Sequence, residues 1–539
     1  TRNITRTPGA HERGATWSPD GKYIAFISDR TGETELYVQS TEDESKAPVQ
    51  LTKNNDTYIS SIQWRPDSKK IMYVDRKNRV IEVDPETKSK TTIMVVPEGA
   101  PRPSYSADSK WITYTKTASN DMSVVYIMNL ASKKEYPITE KWYNSGSPAF
   151  SADGKYLIFT SDRDLSPSYS SVEWNYSYTN MSAVYMALLA KDTPSPLLPK
   201  DGQAAAAKPS ADKDNTPAEV KFDADGILDR IIKLPFKGRG FYSDGKKIWY
   251  SGGRGTNVFD LATQKDETCA EASFSYRFGD KKALFSKGRE YYAVDFPTSK
   301  ANLSSKIDMG NMVATIDYSE EWAQIYDEVW RAFRDGFYLE NMHGRDWKAV
   351  KAKYEVLVPY AKTRLDLNYI IGEMISEVGT GHAYVTVGEY EKPARIPMGL
   401  LGAELSKDKS GYFKIDKILE GATYAANLRS PLTEPGMNIE VGNYITAIDG
   451  ISTKDYPNIY KLLVGKANVL TELTINTSAA AGGRKVVVKP IADEYPLEHF
   501  EWVQHNIEYV EKASNGKIGY IYIPDMSAEG LNEFARYYY

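Results

Sequence analysis

The sequence contains one cysteine, Cys269, in 539 residues, and its formal net charge is only −5. A single cysteine excludes a disulfide within the chain and a zinc site built from clustered thiolates. No apolar run approaches the ~20 residues needed to span a bilayer. Lys and Arg form no long run of the kind that tracks a phosphate backbone. We therefore expect neither a membrane span nor a nucleic-acid partner.

Two further kinds of functional motif are missing. The sequence has no Gly-x-Ser-x-Gly elbow, which would mark an α/β-hydrolase domain like the one that accompanies the propeller of prolyl oligopeptidases. His499 and His505 are too far apart for a ligand pair on one helix face, and they lack acidic or thiolate companions at metal spacing. We expect no metal site and no other cofactor.

The sequence is rich in aromatic residues, with 39 Tyr and 10 Trp, and its first half contains a repeat. Aromatic side chains favour strand-rich architecture. In the four clear copies an aromatic residue is followed by an Asp-Gly or Asp-Ser turn and then by an alternating apolar run, as strands joined by tight turns require. Four clear copies and two weaker ones carry the marker residues Asp20, Asp67, Asp108, Asp153, Asp244 and Asp280.

The spacing of these aspartates predicts a β-propeller. The first four are 47, 41 and 45 residues apart, which is the period of a four-stranded blade. A lone blade is a small sheet with exposed faces, and stacking blades around an axis buries them. The step of 91 residues from Asp153 to Asp244 fits two blades or one blade with an insertion. We therefore predict six or seven blades, with an exposed loop at the polar, Ala-rich stretch 203–214.

The pattern becomes helical from Ser319. Apolar and aromatic residues recur three and four positions apart from Trp322 to Phe333, so they line one helix face. Ser319 is the predicted N-cap. Further helices are predicted at 346–357 and at 367–378. Strands return after Arg395, and the apolar segment 516–524 predicts a buried strand followed by a helix from about Ser527.

Two segments carry a resemblance to known families. The helical part ends in Glu377-Val-Gly-Thr-Gly-His382-Ala-Tyr-Val, which looks like the core domain of tricorn proteases and of the related carboxy-terminal processing peptidases. Gly399-Leu-Leu-Gly402-Ala, with the later Gly442-Asn-Tyr-Ile-Thr-Ala-Ile-Asp-Gly450, is similar to a PDZ domain, although Asn443 stands where Asp is common. The order of the pieces resembles the tricorn protease family.

The resemblance implies a multidomain fold. It places a β-propeller at 1–312, a small α-helical core domain at 313–390, a PDZ-like α+β domain at 391–492 and the start of an α/β serine peptidase domain at 493–539.

The resemblance also implies that His382 is the general base of a serine peptidase. A histidine imidazole exchanges protons near neutral pH and is suited to accept the proton of a serine hydroxyl. In the family the nucleophilic serine lies in the α/β domain that follows the PDZ domain. Because that domain has barely begun at Tyr539, we expect this chain alone to be inactive. In the tricorn archetype the residue before the histidine is a catalytic serine, and here it is Gly381, so that role is lost or moved.

The PDZ-like segment predicts a peptide-binding loop at Leu400, Leu401, Gly402 and Ala403. Consecutive backbone N–H groups in such a loop hold the carboxylate of a peptide C-terminus while the peptide adds a strand to the sheet edge. The alternative is that the loop serves only to pack domains together.

We weigh two functions. In the first, a serine peptidase degrades oligopeptides or unfolded polypeptides, with the propeller as a guide and the PDZ-like domain as a peptide-binding or scaffold domain. In the second, a non-catalytic propeller–PDZ module binds peptides.

The resemblance further implies a homo-oligomer, because tricorn-like relatives assemble into rings. The first residues lack an initiator Met and a signal-peptide core, so the chain reads as cut from a longer one. Its compartment stays open, with a periplasmic location favoured over a cytoplasmic one.

Overall fold

The computed structural model describes residues 3–7, 9–43, 45–97, 99, 101–165, 167–169, 176–198, 218–278, 281–390 and 392–539. The chain divides into two compact units, Thr1–Tyr390 and Glu391–Tyr539. Within the described ranges, every helix is too short or too polar to cross a lipid bilayer.

Six consecutive antiparallel sheets form the propeller part of the first unit. The first contains β1 (Glu12–Trp17), β2 (Tyr23–Ser28), β3 (Glu35–Ser40) and β4 (Val49–Gln50). The second contains β5 (Ile59–Trp64), β6 (Ile71–Asp75), β7 (Arg79–Val83) and β8 (Lys90–Val95). The third contains β9 (Ser104–Tyr105), β10 (Trp111–Thr117), β11 (Ser123–Asn129) and β12 (Glu135–Pro137).

The fourth sheet accounts for the long interval in the repeat. It contains β13 (Ser145–Phe150), β14 (Tyr156–Ser161), β17 (Ala183–Leu188) and β18 (Ile231–Lys233), with the hairpin of β15 (Ser168–Tyr169) and β16 (Tyr176–Ser177) inserted after β14. The interval is therefore one blade with insertions, one of the two alternatives that the spacing allowed. The predicted loop 203–214 lies outside the described residues.

Two further sheets complete the propeller part. The fifth contains β19 (Arg239–Ser243), β20 (Lys247–Gly252), β21 (Gly255–Asp260) and β22 (Lys265–Ala270). The sixth contains β23 (Ser273–Phe278), β24 (Lys282–Lys287) and β25 (Glu290–Asp295). The predicted multidomain propeller architecture is confirmed, and the described residues form six such sheets.

The marker aspartates build the turns between the first two strands of a blade. Asp20 Oδ1 accepts hydrogen bonds from the Ser18 hydroxyl at 2.5 Å and from the Lys22 N–H at 3.1 Å. Asp108 and Asp153 accept the equivalent bonds in their own blades. An aspartate carboxylate that accepts hydrogen bonds from the hydroxyl and the N–H of its own turn stabilises the chain reversal.

The apolar faces of neighbouring blades share their cores. The cluster around Leu36 and Val38 of the first blade includes Ile71 and Tyr73 of the second, all buried. The next four clusters join the second blade to the third, the third to the fourth, the fourth to the fifth and the fifth to the sixth. A blade therefore buries its apolar residues only by contact with its neighbours, as a repeat architecture requires.

Three α-helices follow the propeller in the first unit. They are α1 (Tyr318–Gly336), α2 (Trp347–Glu355) and α3 (Arg364–Ser376). Their buried faces meet in one cluster centred on Trp330, Trp347 and Leu367, and each of the two indole N–H groups donates to the backbone carbonyl of the other tryptophan. The predicted N-cap Ser319 is wrong by two residues. Asp317 caps α1, because its carboxylate accepts from the backbone of Ser319 and Glu320 and from the Ser319 hydroxyl.

The second unit contains a six-stranded antiparallel sheet. Its strands are β26 (Ala403–Lys407), β27 (Phe413–Ile418), β28 (Tyr444–Ile448), β29 (Ile451–Ser452), β30 (Thr471–Asn476) and β31 (Arg484–Val488). The order is β26-β27-β28-β30-β31, with β29 paired to β28, so β26 is an edge strand. Two helices follow, α4 (Tyr495–Ser514) and α5 (Ala528–Tyr538).

The segment 516–524 differs from its prediction. It contains no strand, and its residues are exposed or half-buried rather than buried. A strand is stable only when its backbone pairs with a neighbour, and no described strand pairs with this segment. The helix predicted from about Ser527 is present as α5, and the Ser527 hydroxyl caps it by accepting from the Glu529 N–H.

Candidate functional site

The candidate base, His382, lies on an irregular segment that follows α3. Glu377 caps the C-terminal end of α3, and Gly379 then turns the chain with a φ of 61°. His382 itself has a φ of 58°. A left-handed backbone is uncommon for a residue other than glycine, and such residues are concentrated at functional sites.

The imidazole of His382 is exposed rather than enclosed by the helices. Its ring contacts Tyr384 edge-on, with 6.3 Å between ring centroids. No hydroxyl or carboxylate among the described residues is hydrogen-bonded to it. The ring therefore stands open to a group that approaches from outside the helical domain.

The end of α3, just before this segment, is braced by a second histidine. His343 Nδ1 donates to the carbonyl of Val378 at 2.7 Å, and its Nε2 accepts from the Tyr338 hydroxyl at 2.5 Å. The His343 ring also packs edge-on against Phe337. Both ring nitrogens are engaged, so His343 has a structural role that fixes where the His382 segment begins.

Glu377 supplies another brace at the same helix end. Its carboxylate accepts from Lys353 at 2.5 Å and from the Tyr354 hydroxyl at 2.8 Å, which joins α3 to α2. The hydrogen bond from Lys353, followed by that from Tyr354, lowers the pKa of Glu377. His343 and Glu377 thus fix the start of the His382 segment from two sides. Residues 379–390 lie in no helix or sheet strand.

The predicted peptide-binding loop lies immediately before the edge strand β26. Gly402 has a φ of 70°, and a Cβ there would lie 2.7 Å from Ser430 Oγ, so only glycine fits without displacing its neighbours. The Leu400 N–H donates to the carbonyl of Ile491 at 2.8 Å, and the Ile491 N–H donates back at 2.9 Å. Leu400 is therefore already paired by backbone, and it is not available as a donor to a peptide.

A carboxylate of this chain binds the loop at Gly402. The Gly402 N–H donates to Glu494 Oε1 at 2.6 Å. Burial raises the pKa of Glu494, and hydrogen bonding to the backbones of Gly402, Ala403 and Leu401 opposes that rise. Sequence reasoning missed Glu494 because it is 92 residues from Gly402 in sequence, and no local pattern marks it.

A cavity lies where α1 packs on the first blades. A cavity of about 210 Å³ is lined by residues that include His11, Arg13, Glu328 and Arg331. His11 Nδ1 lies 2.8 Å from Glu328 Oε1, and Arg331 binds Asp29 at 2.6 Å. Burial lowers the pKa of Arg13 to about 10. The charges in this cavity are balanced and mostly paired, which suits a junction between domains better than a ligand site.

The remaining candidate residues in the described part of the chain form neither a metal site nor a reactive thiol. Within the described ranges, no three His, Cys, Asp or Glu side chains converge in a way that would hold a metal ion. Cys269 is buried in β22, and burial raises the pKa of its thiol to about 11, so the reactive thiolate is disfavoured. His499 packs among Tyr495, Trp502 and Tyr522.

Comparison with known families matches three parts of the chain. The family model for the tricorn protease second beta propeller domain matches residues 1–296, the tricorn protease C1 domain matches 318–376, and the tricorn protease PDZ domain matches 399–493. These matches define a protein built from a propeller, a small helical domain and a PDZ domain. The chain belongs to the tricorn protease family, and the resemblance stated from the sequence is confirmed.

Individual relatives agree with this assignment. The chain is 29% identical to tricorn protease homolog 1 of Streptomyces coelicolor, over 99% of this chain and 54% of that protein. It is 28% identical to the tricorn protease of Thermoplasma volcanium, over 80% of this chain and 43% of that protein. The chain therefore spans about half the length of these relatives.

A solved structure shares the fold. The crystal structure of the tricorn protease aligns with a TM-score of 0.78 over 96% of this chain and 52% of that chain, at 23% identity. The alignment supports a common arrangement of backbone elements.

Proposed function

We propose that this chain is part of a serine peptidase in which His382 is the general base. The observation that carries the proposal is the exposed imidazole of His382, held at a positive φ on a segment whose start is fixed by His343 and Glu377. A base that serves a nucleophile from elsewhere must have its ring accessible and its backbone anchored. The names of its relatives, tricorn proteases and their homologues, support peptide-bond hydrolysis.

The nucleophile in this proposal is a serine outside these 539 residues. The described residues support this, because none of their hydroxyl groups is hydrogen-bonded to His382. A serine peptidase also needs donors for the oxyanion of the tetrahedral intermediate, and these act only when the nucleophile is in place. The chain alone is therefore expected to be inactive, while its substrates are oligopeptides or unfolded polypeptides guided by the propeller.

The domain limits inferred from the sequence belong to the same proposal. The propeller occupies 1–312, the helical domain with its base 313–390 and the PDZ-like domain 391–492, and residues from 493 begin the peptidase domain. The PDZ-like domain binds peptides at its loop 400–403, with a scaffold role as the alternative. A homo-oligomer completes the proposal, and the compartment stays open, with a periplasmic location favoured over a cytoplasmic one.

The test uses the full-length protein that contains this chain. His382→Ala should lower the rate of hydrolysis of a fluorogenic peptide by about 10²–10⁴-fold, which is the usual contribution of a general base. Labelling of the nucleophile by a fluorophosphonate should fall in parallel, since the unactivated hydroxyl is a poor nucleophile.

His505→Ala is the matched control, because His505 is also exposed and lies on α4. It should hydrolyse and label like the wild type. Labelling of His382→Ala at the wild-type rate would remove the base assignment. If the wild-type protein itself neither labels nor hydrolyses any peptide, the non-catalytic binding module becomes the correct description.

A further inference from the structure

The carboxylate-binding loop of the PDZ domain already holds a carboxylate from its own chain. The Glu494 carboxylate accepts a hydrogen bond from the Gly402 N–H at 2.6 Å. Hydrogen bonding to the neighbouring backbones of Leu401 and Ala403 also lowers its pKa, against the rise caused by burial. Glu494 is the N-cap residue of α4, yet it makes no capping bond to its own helix. Asp493 accepts from the Tyr495 N–H instead. The carboxylate of Glu494 is therefore directed to the loop and away from the helix that it precedes.

The segment around Glu494 has the parts of a bound peptide. Ile491 exchanges two backbone hydrogen bonds with Leu400, as an added strand does. Glu494 then supplies the carboxylate. Leu497, which is fully buried, fills a small apolar cluster with Leu419 and Leu428 that is separate from the main core of the sheet.

The loop is shaped closely around this segment. Leu497 lies near both glycines that line the site, since a Cβ at Gly402 would lie 3.3 Å from Leu497 Cδ1 and a Cβ at Gly421 would lie 2.7 Å from Leu497 Cδ2. The Ser430 hydroxyl beside Gly402 is buried and has no hydrogen-bond partner among the described residues. Lys417 on β27 adds an ion pair with Glu501 of α4. Backbone hydrogen bonds, an ion pair and close packing thus all hold α4 to the PDZ domain.

We propose that Glu494 is an intramolecular ligand of the PDZ carboxylate-binding loop. It fastens α4 to the PDZ domain, and the C-terminal carboxylate of a peptide enters the loop only after Glu494 has left. The inference rests on the peptide-binding role in the proposed function and specifies how that role is regulated. A tethered carboxylate acts at an effective concentration in the millimolar range for a short connection, so a free peptide must compete with it and its apparent affinity falls by the fraction of open loop.

The test compares variants of the 539-residue chain. Glu494→Ala removes the carboxylate, Glu494→Gln keeps its shape without its charge, and Glu498→Gln is the matched control, an exposed glutamate four residues further along α4. The probe is a fluorescein-labelled hexapeptide that ends in Leu-Leu with a free carboxylate, and the same peptide with a C-terminal amide. Fluorescence anisotropy measures binding, and amide hydrogen exchange measures protection of the Gly402 N–H.

We expect Glu494→Ala to bind the free-carboxylate peptide at least tenfold more tightly than the wild type and Glu498→Gln do. The amidated peptide should show no such gain. The Gly402 amide should be protected in the wild type and in Glu498→Gln, exchange faster in Glu494→Ala and regain protection with peptide. Glu494→Gln should fall between, because its side-chain carbonyl accepts one neutral hydrogen bond.

Measurable and equal binding of the free-carboxylate peptide by the wild type and Glu494→Ala, or an unprotected Gly402 amide in the wild type, would overturn the proposal. If Glu494→Ala exposes the amide but binds neither peptide, Glu494 remains the internal ligand and the peptide-capture role in the proposed function fails. Neither readout uses catalysis, so the result is independent of whether His382 is a base.

Discussion

At the scale of single residues, positive φ angles mark both the repeat and the candidate site. The residue after a marker aspartate is left-handed at Gly21, Ser68, Ser109, Gly154 and Gly245. Where that residue is serine, its hydroxyl accepts a hydrogen bond from the backbone N–H of the marker aspartate in the preceding blade. At Gly245 a Cβ would lie 2.2 Å from Asp153, so only glycine fits. The same backbone state at His382 has no such local explanation.

Gly381→Ser tests whether a hydroxyl beside the proposed base His382 contributes to peptide hydrolysis. A Cβ at this position meets open space, and the glycine does not have a positive φ, so the free energy of unfolding should change by less than about 0.5 kcal/mol. In the full-length protein the added hydroxyl should raise kcat/KM by up to about tenfold, since one net hydrogen bond contributes about 0.5–1.5 kcal/mol. Peptide hydrolysis by Gly381→Ser and by Gly381→Ala, which adds only the Cβ, measures this. Equal gains in both variants would contradict a role for the hydroxyl.

At the scale of elements, α1 is docked on the first blade by two arginines. Arg331 binds Asp29 at 2.6 Å and the carbonyl of Gly32 at 2.7 Å, and the side chains of this ion pair are 11% and 6% exposed. Arg334 binds Glu33 through two hydrogen bonds of 2.7 and 2.8 Å, with exposures of 26% and 33%. The hydrogen bonds to Glu33 raise the pKa of Arg334. Arg334 also binds Asp335, whose side chain is 5% exposed, at 2.7 Å. The pair between Arg334 and Glu33 alone is therefore the exposed counterpart of the pair between Arg331 and Asp29.

Burial should decide how much each of these two ion pairs, Arg331 with Asp29 and Arg334 with Glu33, contributes to stability. Arg331→Met leaves the Asp29 carboxylate buried without its cation, which should lower the free energy of unfolding by about 3 kcal/mol. Glu33→Gln removes the charge of the more exposed pair, while Arg334 keeps its pair with Asp335, and should lower it by about 1 kcal/mol or less. Urea denaturation of the chain measures both. The double variant Asp29→Asn/Arg331→Met should recover part of the loss, and an equal loss in both single variants would contradict the argument.

Sequence patterns predicted those elements whose causes are local. The aspartate turns, the helix faces from Trp322 to Phe333 and the loop that carries His382 depend on residues within a few positions of one another. The strand expected at 516–524 is not formed, because a strand depends on a partner that its own sequence does not specify. Glu494 was missed for the same reason, since its partner Gly402 is distant in sequence. The sequence therefore predicted the structure that neighbouring residues determine, but not the pairing between segments that are distant in sequence.

At the scale of the whole molecule, the chain consists of two compact units, Thr1–Tyr390 and Glu391–Tyr539. In the first unit each blade shares its core with the next. The cluster of the helices, which includes Leu367, is joined to the first blade through Arg331 and Arg334 of α1, so we expect it to unfold with the blades. In the second unit the main cluster lies on the sheet and includes Leu473. Units with separate cores unfold as separate cooperative transitions unless a large apolar interface joins them.

A matched pair of cavity variants tests this division. Leu367 and Leu473 are both 0% exposed and lie in clusters of different units. Leu367→Ala and Leu473→Ala should each lower the free energy of unfolding of their own unit by about 2–5 kcal/mol, because each leaves a cavity in a packed core. Scanning calorimetry of the chain should show two transitions, each shifted by only one variant. Leu531→Ala, which truncates a leucine that is 66% exposed on α5, is the control and should shift neither. A single transition that both core variants shift equally would show that the units unfold together.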